Sequence, residues 1–102
     1  MSAVSRAVAI TNKRGLHARA SAKFVNQASE LPAEVEVEKD GHRVCGTSIM
    51  GLMMLGAAMG DHVTISAEGD GAEAALVALC DLVESKFGEE QPFRAPRLLV
   101  AQ

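Results

Sequence analysis

The stretch Glu34-Val35-Glu36-Val37-Glu38 carries a carboxylate at every second position with a valine between. Successive side chains of a strand point to opposite faces, so this run reads as a strand with one face buried and the other in water. Asp40-Gly41 follows as a two-residue hairpin signal, and His42-Arg43-Val44-Cys45-Gly46 is the returning strand. A sheet that keeps one face solvated must bury the other, which limits the chain to a layer of strands with helices on one side.

The remaining elements fit that layer. Val8 and Ile10 alternate with Ala7 and Ala9 in a first strand, and Asn12 to Gly15 break the pattern. Ala18, Ala22, Val25 and Ala28 recur at helical spacing, with Leu16 and Phe24 beside them, and predict a helix over Ala18 to Ser29 that ends before Pro32. Thr47-Ser48 precedes a short apolar helix running to Leu55 and closed by Gly56. Val63, Ile65 and Ala67 alternate in a fourth strand. Asp70 and Glu73 form a capping-box variant before a long helix whose inner face is Ala72, Ala75, Leu76, Leu79, Leu82, Val83 and Phe87, ending at Gly88. The order β-α-β-β-α-β-α specifies an α+β open-faced sandwich. One domain over residues 1–88 is expected, with a tail from Glu89 to Gln102 whose Leu98-Leu99-Val100 segment is apolar enough to dock.

Composition excludes several classes. The net charge is -3 and the aromatic content only 3%, so neither the electrostatic footprint nor the stacking platform of a nucleic-acid binder is present. No apolar run approaches the roughly 20 residues of a membrane span, and the N-terminus lacks an apolar signal core. Cys45 and Cys80 lie far apart with no paired spacing and read as two free thiols in a reducing cytosol. His42, His62 and Cys45 match no zinc signature, so no metal site is expected.

Three groups are candidate sites, each with a plainer alternative. His17 stands where a strand feeds a helix N-terminus, and the unpartnered N–H groups of a first helical turn hold anions, phosphate especially. A neutral imidazole is a nucleophile able to carry a phosphoryl group, Arg19 can pair with that group, and the backbone N–H groups of Arg19 and Ala20 can reach it. The alternative is a surface histidine that caps the helix. A cation in a first turn opposes the helix dipole, and such a local mismatch often marks a site. Ser48 is a helix cap or a phosphorylation site. Met50 and Met53, one helical turn apart with Ile49 and Met54 beside them, are core or an exposed adaptable patch for partners.

With these residues in view, Gly15-Leu16-His17-Ala18-Arg19 resembles the active-site motif of the HPr family, the histidine-containing phosphocarriers of the bacterial phosphotransferase system. Gly46-Thr47-Ser48-Ile49-Met50-Gly51-Leu52-Met53-Met54-Leu55 resembles the family's regulatory-serine region, and Val63-Thr64-Ile65-Ser66-Ala67-Glu68-Gly69 its final strand and loop. The likeness runs in register from Ser5 to Gly88. It implies the HPr-like open-faced β-sandwich, a four-stranded antiparallel sheet covered by three helices on one face.

It also implies a cytoplasmic phosphotransferase component rather than a stand-alone enzyme, working as a monomer without a cofactor. Enzyme I, charged from phosphoenolpyruvate, would pass phosphate to Nδ1 of His17, and His17 would pass it to a histidine on an EIIA domain. Arg19 and the backbone of Ala18, Arg19 and Ala20 would hold the phosphoryl group. Ser48 matches the serine modified by HPr kinase/phosphorylase. Ala22, Ile49, Met50 and Met53 match the apolar docking surface. Three departures separate the chain from sugar-transport members: Ala20 replaces a common proline, Asn26, Ser29 and Gly51 stand where docking lysines occur, and Thr47 replaces a basic residue. These resemble the nitrogen-related, NPr-like branch or the HPr of bacteria with incomplete sugar systems. The alternative reading from a different class is a non-catalytic regulatory binding module controlled by Ser48 phosphorylation. A member lacking a working histidine is disfavoured, because His17 and Arg19 are both present.

Overall fold

The computed structural model describes residues 3–89. The remainder of the expected tail, including Leu98-Leu99-Val100, lies outside the described residues. Strand β1 (Ala3–Ala9) leads through a turn to helix α1 (Ala18–Ser29), and the hairpin of β2 (Glu34–Lys39) and β3 (His42–Cys45) follows. Then come the short α2 (Ile49–Met54), β4 (His62–Glu68), α3 (Ala72–Glu84) and a 3-10 turn over Lys86–Gly88. The sheet order is β1-β4-β2-β3, antiparallel throughout.

The alternating carboxylates do what their spacing demands. Val35 and Val37 are buried and lie opposite Ala67 and Ile65 of β4, whose far side meets Val8 across Val63. On the other face Arg43 Nη1 donates to Glu36 at 2.9 Å, and its Nη2 lies 3.5 Å from Glu38, so the solvated side of the hairpin is laced by charge. Asp40 and Gly41 both take positive φ, 51° and 84°, the two-residue turn that joins Lys39 to its partner His42.

Three details of the helices differ from expectation. The buried face of α1 is Ala20, Ser21, Phe24 and Ala28, while Ala18 is exposed and Ala22 and Val25 only half-buried. Alanines at 18, 20 and 22 fit either face, so the bulk of Phe24 decides the rotation. Ser21 is drawn inside with its hydroxyl donating to Leu16 O at 3.2 Å. The N-cap of α3 is Gly71, at φ 69° and with no side-chain cap, so Asp70 and Glu73 do not form a capping box; the helix begins one residue too late for their spacing. Finally, α3 stops at Glu84, and Phe87 reaches the core from a separate turn.

That turn is strained. Lys86 and Phe87 sit at φ 60° and 55°, followed by Gly88 at 73°. A non-glycine residue in this left-handed region costs about 1–2 kcal/mol. Burial of the Phe87 ring and a 2.7 Å hydrogen bond from Lys23 Nζ to Phe87 O hold the conformation. The result carries the chain back across the N-terminal end of α1.

Candidate functional site

The β1–α1 connection is anchored before it reaches His17. Ile10 N–H donates to Asp61 O, Gly60 N–H to Ile10 O, and Leu16 N–H to Ala57 O, so the turn is tied to the α2–β4 loop at both ends. Gly15 takes φ 65° within it and packs directly on Ala57. Leu16 is buried, and its neighbour His17 emerges half-buried at the end of the helix.

His17 is itself the N-cap of α1. Its backbone is extended, its carbonyl accepts the N–H of Ser21 at 2.9 Å, and its Nδ1 accepts the N–H of Arg19 at 3.2 Å. On the far side of the ring, Nε2 lies 2.5 Å from Oε2 of Glu89. A ring nitrogen that accepts carries no proton, and a carboxylate can only accept. The neutral ring in this setting is therefore the Nε2–H tautomer, with the Nδ1 lone pair directed at the open end of the helix. The capping reading of His17 is the one seen, and the lone pair that caps α1 belongs to Nδ1, the atom that the nucleophile reading would also use.

Beside the His17–Glu89 pair, Lys13, Arg14, Arg19, Lys23, Gly88 and Glu89 line an open cleft of about 390 Å³, which reaches His17 through its partner Glu89. Four cationic side chains and one carboxylate make it a positive basin at a helix N-terminus, with no acidic residue in the first turn of α1. Ala18, Arg19 and Ala20 supply the first N–H groups of the helix.

The other expected residues form a second region on α2. Ser48 is its N-cap, with Oγ accepting the N–H of Gly51 at 2.9 Å. Leu52 and Leu55 point into the core, whereas Ile49, Met50 and Met53 are exposed, Met50 by 68%. Met54, beside them on the same helix, is exposed as well, and so is Met59 in the loop that follows. Ala22 is half-buried on α1, which packs against α2. Cys45 is an exposed free thiol and Cys80 a buried one. Among the described residues no cluster of three or more His, Cys, Asp or Glu could hold a metal ion, and no helix is long and apolar enough to cross a membrane.

Sequence reasoning missed two participants. Asn12 is wholly buried, and its Nδ2 donates to both Gly15 O at 2.9 Å and Glu89 Oε1 at 3.1 Å. Glu89 is 72 residues from His17 in sequence, and it fell beyond the expected domain end. The only signal for Asn12 was its place three residues before Gly15 in a turn; for Glu89 there was none.

Comparison with known proteins converges on one family. The family model described as "PTS HPr component phosphorylation site" matches residues 4–85. The phosphocarrier protein HPr of Neisseria meningitidis is 48% identical over 86 residues, covering 84% of this chain and 97% of that protein. The phosphocarrier protein NPr of Shewanella violacea is 43% identical over 89 residues, covering 87% and 98%. The crystal structure of HPr-C-His from Thermoanaerobacter tengcongensis superposes with a TM-score of 0.80 at 52% identity, over 89% of this chain and all of that one. With the open-faced sandwich and the histidine-capped helix both in place, the chain belongs to the HPr family, the phosphocarrier proteins of the phosphotransferase system.

Proposed function

We propose that His17 is the phosphoryl carrier, accepting phosphate on Nδ1 from phospho-enzyme I and passing it to a histidine on an EIIA-type domain. The observation that carries this reading is the placement of Nδ1 at the N-terminus of α1, where it accepts the Arg19 N–H. As Nδ1 attacks phosphorus, the P–N bond to the donor histidine breaks and a P–Nδ1 bond forms. Negative charge on the phosphoryl oxygens then faces the first N–H groups of the helix and the Arg19 guanidinium. The Arg19 N–H passes from Nδ1 to a phosphoryl oxygen, so no backbone donor is stranded. Ala20 adds a donor that proline would lack. Incubation with enzyme I and labelled phosphoenolpyruvate is expected to give an acid-labile phosphate that His17→Ala loses. Labelling of that variant would reject the assignment.

Ile49, Met50 and Met53, with Ala22, are the docking surface in this reading, and Ser48 is the site of HPr kinase/phosphorylase. The exposure of the α2 methionines and the position of Ser48 at the head of the same helix support both roles. Asn26, Ser29 and Gly51, in place of docking lysines, favour an NPr-like, regulatory partner set over sugar uptake. The working unit is a cytoplasmic monomer of one domain, the expected residues 1–88 together with Glu89, which contributes His17, Arg19 and α2 from a single chain. A second reading, a regulatory module switched at Ser48, is favoured by the same cap. It requires that Ser48→Asp change partner affinity in a His17→Ala background, and identical binding by the single and double variants would remove it.

A further inference from the structure

The expected carrier chemistry uses His17, Arg19 and the helix N-terminus, and leaves Glu89 without a role. The geometry around Glu89 is nevertheless over-determined. Lys86 and Phe87 adopt left-handed backbone conformations that favour glycine, and Phe87 is fixed by burial and by Lys23. Glu89 N–H closes the turn on Lys86 O at 2.9 Å. The turn delivers a carboxylate whose side chain is only 14% exposed, with one oxygen on His17 Nε2 and the other on Asn12 Nδ2. Gly15 O, which can only accept, fixes which end of the Asn12 amide faces Glu89. Backbone strain maintained by surrounding contacts is a pointer to function when it positions a reacting group.

We propose that Glu89 is a positioning residue for phosphoryl transfer, the middle of an Asn12–Glu89–His17 chain that sets the tautomer of the ring. This rests on His17 being the phosphoryl acceptor. The carboxylate accepts the Nε2 proton, which keeps Nδ1 free of one. It stands on the opposite ring nitrogen from Nδ1, so it does not occupy the path of the incoming phosphate. When the P–Nδ1 bond forms, the ring becomes a phosphoimidazolium. Its Nε2 proton stays in place, and its positive charge is met by the Glu89 carboxylate at 2.5 Å. The donor histidine leaves as a neutral imidazole with the proton of its other nitrogen retained, so the transfer needs no outside acid or base. Among the residues lining the cleft, Glu89 is the one acid in a ring of Lys13, Arg14, Arg19 and Lys23. It supplies the counter-charge that these cations cannot.

The Asn12 amide makes the test sharp. In Glu89→Gln, the carbonyl end of glutamine must face the Asn12 N–H, which leaves its own NH2 to donate to His17 Nε2. That hydrogen bond requires an unprotonated Nε2 and moves the proton to Nδ1. Nitrogen-15 NMR of the imidazole in the full chain is expected to report the Nε2–H tautomer in the native protein, a shift toward Nδ1–H in Glu89→Gln, and a mixture in Glu89→Ala. Phosphate acceptance from enzyme I is expected to fall about tenfold or more in both variants, the scale of losing a charge-assisted hydrogen bond. Thermal melts of the same samples confirm folded protein. An unchanged tautomer in both variants, or acceptance within twofold of native in both, overturns the proposal. The tautomer measurement uses no phosphate donor, and the His17→Ala labelling control stands apart from it, so failure of this inference is distinguishable from failure of the phosphorylation site itself.

Discussion

A Cβ on Gly15 would stand 2.4 Å from the carbonyl oxygen of Ala57 and 2.9 Å from Cα of Ala58. The neighbouring hydrogen bond, Leu16 N–H to Ala57 O at 3.0 Å, needs that close approach. Gly15 also takes φ 65°, where a side chain is strained whatever the space. Gly15→Ala is therefore expected to cost about 3 kcal/mol or more, combining left-handed strain with a backbone clash. Denaturant unfolding measures this directly. Because the same turn presents His17, the folded fraction is expected to accept phosphate more slowly, and an unchanged unfolding midpoint would show that the two loops are not tied as described.

Ser48 separates stability from signalling. Its hydroxyl caps α2, and Ser48→Ala is expected to lose about 1 kcal/mol, the usual cost of an N-cap serine. Ser48→Asp keeps a good cap and adds a charge at a helix N-terminus, so its unfolding midpoint is expected to stay near that of the native chain. Weaker binding of enzyme I by Ser48→Asp at unchanged stability then reports the charge placed beside Ile49, Met50 and Met53. Equal affinity for enzyme I would count against Ser48 as a switch acting through that exposed apolar surface.

How much of this was legible in the chain depends on the range of the interaction. The β2–β3 hairpin was readable because Glu34, Glu36 and Glu38 alternate with valines and Asp40-Gly41 closes the turn, all within a few residues. The α1 boundaries were readable for the same reason, but its buried face was not: alanines at 18, 20 and 22 carry no preference, and only packing of Phe24 resolves it. Gly71 takes the cap that the spacing of Asp70 and Glu73 predicts for Asp70, since the backbone enters α3 from a left-handed residue rather than an extended one. The His17–Glu89 contact lay beyond reach. It depends on a strained turn at Lys86 and Phe87 that no local propensity favours, and on an Asn12 burial that no pattern announces.

The Lys23–Phe87 hydrogen bond is expected to support that turn measurably. Lys23→Met keeps most of the aliphatic stem and removes the donor to Phe87 O, at a cost of about 1 kcal/mol. Hydrogen exchange at Gly88 and Glu89, whose N–H groups bond Ser85 O and Lys86 O, is expected to accelerate more than exchange in β4. Uniform protection across the two regions would mean that Phe87 burial alone holds the turn.

The two thiols are expected to react in opposite ways. Hydrogen bonds from the Thr47 hydroxyl and backbone hold the Cys45 thiol below its ordinary pKa, although desolvation and then Glu36 and Glu34 work against them. Burial pushes Cys80 up. A depressed pKa means more thiolate at neutral pH, so alkylation of Cys45 is expected to rise with pH through a midpoint below that of a free thiol, while Cys80 stays protected until the chain unfolds. Mass spectrometry after a timed pulse of iodoacetamide at several pH values separates the two. Labelling of Cys80 at the rate of Cys45 in the folded protein would contradict the burial of Cys80 on the inner face of α3.

Arg19 gives the sharpest division between folding and chemistry. It is exposed in the first turn of α1, a turn without an acid, where the helix dipole disfavours a cation. For the fold alone Arg19→Glu is an improvement of about 0.3–1 kcal/mol, because a carboxylate suits that end of the helix. For an arriving phosphate it is the reverse. The guanidinium that could pair with phosphoryl oxygens is replaced by a charge that repels them in a cleft still lined by Lys13, Arg14 and Lys23. Arg19→Glu is accordingly expected to melt at or above the native temperature while accepting phosphate from enzyme I at least tenfold more slowly, roughly the loss of one charge-assisted contact. Arg19→Gln, neutral and of similar length, is expected to fall between the two in rate. A common transfer rate for all three proteins would remove Arg19 from the phosphate site and leave the positive cleft as a general attractor for an acidic partner.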